Sequence, residues 1–303
     1  MQYSTTTMSG LFDAEYFDIE SSHVNDTFRI FVGKPSIVEP QKSYPAIYSL
    51  DGNASFASMI GTQRLLSQGG EVPPSFVIGI GYPGESLAVA MANRNRDYVP
   101  TEPEEYEIKS LGASVQAGGP AFLRFLSEEL KPLIEKKYPV GSANSTLQGV
   151  SLGGLFATWT LLTSPNTFDK YILGSPAIWW RKEQVWEWEE AFSKTHDDMQ
   201  ATVFISAGAL EVKEHIRASA VDIAKKNPEM RAHIESFISF SDENGWPRIA
   251  ELTVEFASRL QSRNYPGLKI HCHNMPDENH MSAPPAITSR GLRFVNGSWH
   301  PEK

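Results

Sequence analysis

Apolar residues along this chain fall into short β-type runs separated by stretches with helical spacing. Segments 17–19 and 27–31 are rich in β-formers and flank the polar stretch 21–26, which predicts an opening antiparallel pair. The run 44–50 ends at the turn signal Asp51-Gly52-Asn53, and 75–80 ends at Gly81-Tyr82-Pro83; each predicts a buried strand leading into a loop. Between them, 55–67 has mixed helical character. Across 120–138, Phe122, Leu126, Leu130 and Leu133/Ile134 share one helical face, and Pro132 should kink that helix. A strand at 145–150 is followed by a helix at 152–162, and further short strands are expected at 171–173, 202–207 and 269–273. The Glu-, Gly- and Ala-rich stretch 101–119 reads as a loop. Strands alternating with helices imply a mostly parallel central sheet with helices on both faces.

The segment 214–265 is too long for a simple connection and carries a helical face at Ile249, Leu252, Phe256 and Leu260. It is a candidate cap or rim insertion in what otherwise reads, without a linker or internal repeat, as one domain spanning 1–303. Hydrophobic residues at 41% and charged residues at 21% describe a globular chain. Twenty-seven basic against thirty-six acidic residues leave a net charge of −9, which argues against a nucleic-acid partner, since phosphate binding relies on Lys and Arg. Cys272 is the one cysteine, so no intrachain disulfide and no multi-cysteine zinc site can form. Residues 1–13 have neither a basic nor an apolar signal region, and no apolar run is long enough to span a bilayer. A cytoplasmic enzyme that does not enter the membrane is therefore expected.

The strongest chemical signal is Gly149-Val150-Ser151-Leu152-Gly153, followed by Gly154. A G-x-S-x-G sequence between a strand and a helix fits a nucleophile elbow, in which a backbone-strained serine is presented on a tight turn. Side chains two residues either side would crowd that turn, and the N–H of Leu152 at the helix start would bind an oxyanion. The order expected of such a triad is serine, acid, histidine. His280 follows the last predicted strand, and Glu211 follows the strand 202–207, with Glu214 and Asp242 as fallback acids. His271 and His273 share one strand face, but no third ligand has suitable spacing, and His23, His196, His215, His233 and His300 have no supporting context. Neither a metal nor a cofactor is expected.

Several short motifs also occur in a shared order: Tyr44-Pro45…Leu50-Asp51-Gly52, Gly79-Ile80-Gly81-Tyr82, Arg94-Asn95-Arg96-Asp97-Tyr98-Val99-Pro100, Gly118-Gly119-Pro120, Ser151-Leu152-Gly153-Gly154, Ser175-Pro176-Ala177-Ile178-Trp179-Trp180, Gly208…Glu211 and Glu278-Asn279-His280. From about Phe17 to His280 the chain resembles the esterase D-like group of α/β-hydrolases, especially ferric-siderophore esterases of the enterobactin and salmochelin type. The resemblance implies an α/β-hydrolase fold, a second oxyanion donor at Gly52-Asn53, a substrate-facing arginine at Arg94 or Arg96, and a pocket wall at Trp179 and Trp180. A guanidinium would suit an anionic group on the ester, and indole rings an aromatic acyl portion. Ion pairing of either arginine with Asp51 or Asp97, and core packing of the tryptophans, remain open. Val150 stands where such relatives often carry His. The expected function is serine carboxylic-ester hydrolysis through an acyl-enzyme, on a small-molecule ester such as a siderophore or other secondary metabolite. The alternatives are an acyltransferase using the same acyl-enzyme and a non-catalytic binding protein on a hydrolase scaffold.

Overall fold

A computed structural model describes residues 4–84, 86–111, 115–297 and 299; the first three residues, part of the stretch 101–119 and His300 lie outside the described residues. Its strands are β1 (Thr6–Thr7), β2 (Ala14–Ser21), β3 (Asp26–Gly33), β4 (Tyr44–Ser49), β5 (Phe76–Gly81), β6 (Val140–Val150), β7 (Lys170–Gly174), β8 (Ala201–Ser206) and β9 (Leu268–Cys272). They form one sheet in the order β1-β2-β3-β5-β4-β6-β7-β8-β9. The pairings β1–β2, β2–β3 and β3–β5 are antiparallel; β5–β4, β4–β6, β6–β7, β7–β8 and β8–β9 are parallel. The mostly parallel α/β-hydrolase sheet expected above is therefore present, and the opening hairpin turns through Asn25, whose φ of 56° is left-handed.

The helices are α1 (Gly52–Gln68), α2 (Leu87–Asp97), α3 (Glu105–Leu111), α4 (Gly119–Arg124), α5 (Lys131–Lys137), α6 (Leu152–Thr163), the single turn α7 (Trp180–Glu183), α8 (Val185–Thr195), α9 (Lys213–Lys226), α10 (Arg231–Asn244), α11 (Ile249–Ser262) and α12 (Ala283–Asn296). Period-two alternation along the strands feeds two cores. Ile47, Val77, Ile172 and Phe204 point to the face covered by α1 and α12, among Phe56, Ile60, Ile287 and Leu292. Their neighbours Tyr48, Ile78, Leu173 and Val203 point to the opposite face, among Phe122, Leu155, Leu252 and Phe256. Helices cover both faces, so the strands of the central sheet read as nearly continuous apolar runs.

Two expectations need correction. Within 101–119, residues 105–111 form α3, which supports α10. The helix at 120–138 is not simply kinked at Pro132. It widens into a π-helical stretch over Phe125–Leu130 before α5 begins. A proline has no N–H to offer the carbonyl four residues back and its ring collides with it, and a π turn relieves both conflicts. The stretch 214–265, a candidate cap or rim insertion, holds most of α9 together with α10 and α11, which pack in two different settings. α11 buries Ile249, Leu252, Phe256 and Leu260 against β8 and β9, as part of the layer on the sheet, whereas α9 and α10 pack mainly on one another and α10 on α3. No helix among the described residues is long and apolar enough to cross a membrane.

Strand order also fixes where a site can form. From β4 the chain passes to β5 on one side and later to β6 on the other, so the loops after β4 and β6 diverge to opposite faces. The crevice between such loops, at the carboxyl ends of the strands, is where ligands bind in open α/β sheets.

Candidate active site

Non-glycine residues with left-handed φ follow three of the strands that meet at this crevice: Asp51 after β4 (58°), Ser151 after β6 (60°, with ψ −119°) and Ser175 after β7 (38°). Such strain, about 1–3 kcal/mol per residue, persists only where the surroundings enforce it. Around Ser151 the enforcement is visible. Its N–H donates to the Gly174 carbonyl at 3.0 Å, and its own carbonyl accepts from Leu155 and Ala177 at 2.9 and 3.0 Å. A Cβ on Gly149 would lie 2.2 Å from the Gly153 carbonyl oxygen, and one on Gly154 would lie 2.8 Å from Pro176 Cα. Gly153 itself is less demanding than the spacing argument implied, since its nearest contact would be an ordinary 3.4 Å. The third glycine of the run, rather than the second, admits the close pass of the β7 loop. Leu152 opens α6, so its N–H faces outward from a helix start.

Glu211 is 1% exposed and fully engaged. Its Oε1 accepts from the Ser175 hydroxyl at 2.5 Å and the Gly208 N–H at 2.7 Å, leaving Oε2 directed at His280 Nδ1, 2.6 Å away. The loops carrying acid and imidazole are zipped by backbone bonds. Ala209 N–H donates to Met275 O at 2.8 Å, Leu210 N–H to Glu278 O at 3.0 Å, and Met275 N–H to Ala207 O at 2.7 Å. A Cβ on Gly208 would come within 2.3 Å of the Glu278 carbonyl, and Asn274 Oδ1 receives the Ala207 N–H at 3.0 Å. His280 thus sits on a fastened loop rather than a freely swinging one. The fallback acid Asp242 is instead exposed and paired with Arg217 at 3.0 Å, and Glu214 lies in the first turn of α9.

Ser151, Glu211 and His280 line one cavity of about 610 Å³. Its other walls come from α9 (Ile216, Ile223), α10 (Phe237), the start of α11 (Ile249) and Met281. The Ser151 hydroxyl forms no hydrogen bond with the His280 ring among the described residues. A neighbouring cavity of about 530 Å³ includes Tyr106, Phe240 and Trp246 and shares Trp179 and Pro247 with the first.

Both arginines form ion pairs, the alternative left open beside the substrate-facing role implied by resemblance. Arg94 Nε and Nη2 grip Asp51 at 2.6 and 3.2 Å, and Nη2 also reaches the Val150 carbonyl at 3.2 Å. Burial works against its charge, but Asp51 outweighs burial and the guanidinium is held above its ordinary pKa. Arg96 is shared between Asp97 and Asp26 at 2.7 and 2.9 Å, and Asp97 is itself inaccessible. Burial raises the Asp97 pKa, opposed by Arg96. Neither arginine is on the wall of the Ser151 cavity. Arg94 instead ties the loop after β4 to the residue preceding the serine.

Gly52 and Asn53 form the first turn of α1. A Cβ on Gly52 would meet the Gly79 and Ile80 backbone at 2.9 Å, and the Asn53 side chain is bound twice by the Tyr82 backbone, at 2.7 and 2.9 Å. Only backbone N–H groups remain here to serve an oxyanion. Trp179 lies on the cavity wall, with its buried Nε1–H lacking an acceptor among the described residues. Trp180 does not reach the pocket. It is fully buried and donates its indole N–H to Thr101 Oγ1 at 2.8 Å. His23 pairs with Glu128, His196 stacks on Phe192, and the parallel rings of His271 and His273 lie 6.2 Å apart. Burial, then Arg290, lowers the His273 pKa. Sequence reasoning missed Ser175, Gly208 and Asn274 as supports; the first two stood in quoted motifs, but nothing local reveals which atoms they hold.

The chain matches the Esterase family model over residues 21–244. It belongs to this esterase family. It is 30% identical over 283 residues to the ferri-bacillibactin esterase BesA of Bacillus subtilis, covering 91% of this chain and 87% of the relative. It is 31% identical to the siderophore triacetylfusarinine C esterase of Aspergillus fumigatus, covering 84% and 82%. The crystal structure of the BES protein from Bacillus cereus superposes with a TM-score of 0.74 at 27% identity, covering 98% of each chain. As a member of the esterase family, the protein is a carboxylic-ester hydrolase.

Proposed function

We propose that this esterase hydrolyses its substrate through an acyl-enzyme on Ser151, with His280 as general base and acid and Glu211 as the carboxylate that orients it. The observation carrying this reading is the buried Glu211 oxygen 2.6 Å from His280 Nδ1, on the wall of the same cavity as a serine held at φ 60°. A carboxylate on Nδ1 fixes the tautomer that presents a bare Nε2, and it stabilises the imidazolium that forms. Nε2 takes the Ser151 proton as Oγ attacks the ester carbonyl. The tetrahedral oxyanion is received by the backbone N–H of Leu152 and by the Gly52-Asn53 turn. The leaving alkoxide takes the proton from His280, which then deprotonates water to release the acid. Serine–imidazole bonds are often open in unliganded enzymes and tighten with substrate, so their absence at rest fits this cycle.

The names of the relatives support a siderophore or similar secondary-metabolite ester as substrate. With Ser151→Ala, turnover of a p-nitrophenyl ester should fall by about 10⁴-fold or more with the fold intact by circular dichroism. Undiminished turnover would reject Ser151 as the nucleophile.

A further inference from the structure

The esterase reading leaves open which esters enter, and the cavity walls bear on it through their charge. Among the described residues lining the Ser151 cavity there is no Lys and no Arg. Its fixed charges are two carboxylates: Glu211, engaged with His280, and Asp222, paired outward with the exposed Lys226 at 2.6 Å. The remaining lining is dominated by apolar side chains, and two of them, Ile223 and Met281, stay 41% and 84% exposed at the rim. The adjoining cavity does not reverse this balance. Glu104, Glu105 and Glu183 face Lys182 and Arg248 there, and Arg248 is already held by Glu183 and Glu255. Arg94 and Arg96, the cations best suited to an anionic ligand, are gripped by Asp51, Asp97 and Asp26. The whole chain carries −9.

Resting on the proposed mechanism, we infer that the cavity selects esters whose bound portion is electrically neutral and largely apolar, and rejects anionic ones. Moving a charged group from water into an apolar site without a counter-ion is strongly unfavourable. Within siderophore chemistry this separates two ligand classes. Three hydroxamates, each −1, neutralise a ferric ion, whereas three catecholates, each −2, leave the complex at −3. The neutral class fits these walls.

The test compares matched pairs on the intact protein. The first pair is the p-nitrophenyl ester of a monomethyl dicarboxylate and the same compound with its distal carboxylate free. The second pair is a ferric trihydroxamate ester and a ferric triscatecholate ester. The neutral member of each pair should show kcat/KM about a hundred-fold higher. Ile223→Lys, which adds a cation at the rim, should narrow both ratios by about tenfold. Equal or faster turnover of the anionic members overturns the inference while leaving the esterase mechanism standing. Hydrolysis of none of the four, with Ser151 unlabelled by a fluorophosphonate, overturns the mechanism and the inference together.

Discussion

At the scale of single residues, the proposed site contains one carboxylate with no freedom. Ser175 and the Gly208 N–H hold one oxygen of Glu211, and the other meets the imidazole. Glu211→Gln keeps the shape but replaces an acceptor by an amide that can favour the wrong tautomer of His280. Its kcat should fall by about 10³- to 10⁴-fold with little change in KM. Ser175→Ala removes one neutral donor from the same oxygen and should cost only about tenfold. Steady-state kinetics on one ester compares the two, and a Glu211→Gln enzyme as active as the parent would remove the acid from the mechanism. Identity and order were enough to nominate these residues, because a serine between glycines and a histidine after the last strand are local features. The role of Ser175 was not legible. Its hydroxyl matters only because β7 lies beside β8, a fact of strand order.

At the scale of elements, the elbow joins β6 to α6 so tightly that the glycines differ in importance. A methyl on Gly149 would overlap the Gly153 carbonyl at 2.2 Å, whereas one on Gly153 would make ordinary contacts at 3.4 and 3.5 Å. Gly149→Ala should therefore lose about 3 kcal/mol of stability, and Gly153→Ala should stay within about 1 kcal/mol. Urea unfolding of both variants measures the difference; equal losses would mean that the strand–helix turn relaxes more easily than its packing suggests. Sequence spacing flagged both glycines alike, since it registers position and not which backbone approaches which. Most strands were similarly legible from their apolar runs and turn residues to within one or two residues, but the two-residue β1 was missed, and β2 and β6 begin three and five residues earlier than expected, at Ala14 and Val140. The helix α3 was hidden in a polar, acidic stretch because its stabilising partners belong to α10, more than a hundred residues away.

At the scale of the whole molecule, one sheet brings the ends of β4, β6, β7, β8 and β9 to a common edge, and α9 and α10 wall the cavity above it. The resemblance to siderophore esterases anticipated the fold and ester hydrolysis, but it could not show which acids of this chain hold Arg94 and Arg96. Ion pairing is decided by three-dimensional proximity, and the acids that capture these arginines sit just before α1 (Asp51), at the start of β3 (Asp26) and at the end of α2 (Asp97). The account rests finally on an activated hydroxyl at Ser151. Its most direct measurement is intact-mass and peptide-level analysis after exposure to a fluorophosphonate at neutral pH, repeated with His280→Ala. The account predicts a single adduct on Ser151 and a labelling rate about a thousand-fold lower or more without the imidazole. An adduct on any other residue, or equal rates for the two proteins, would contradict it.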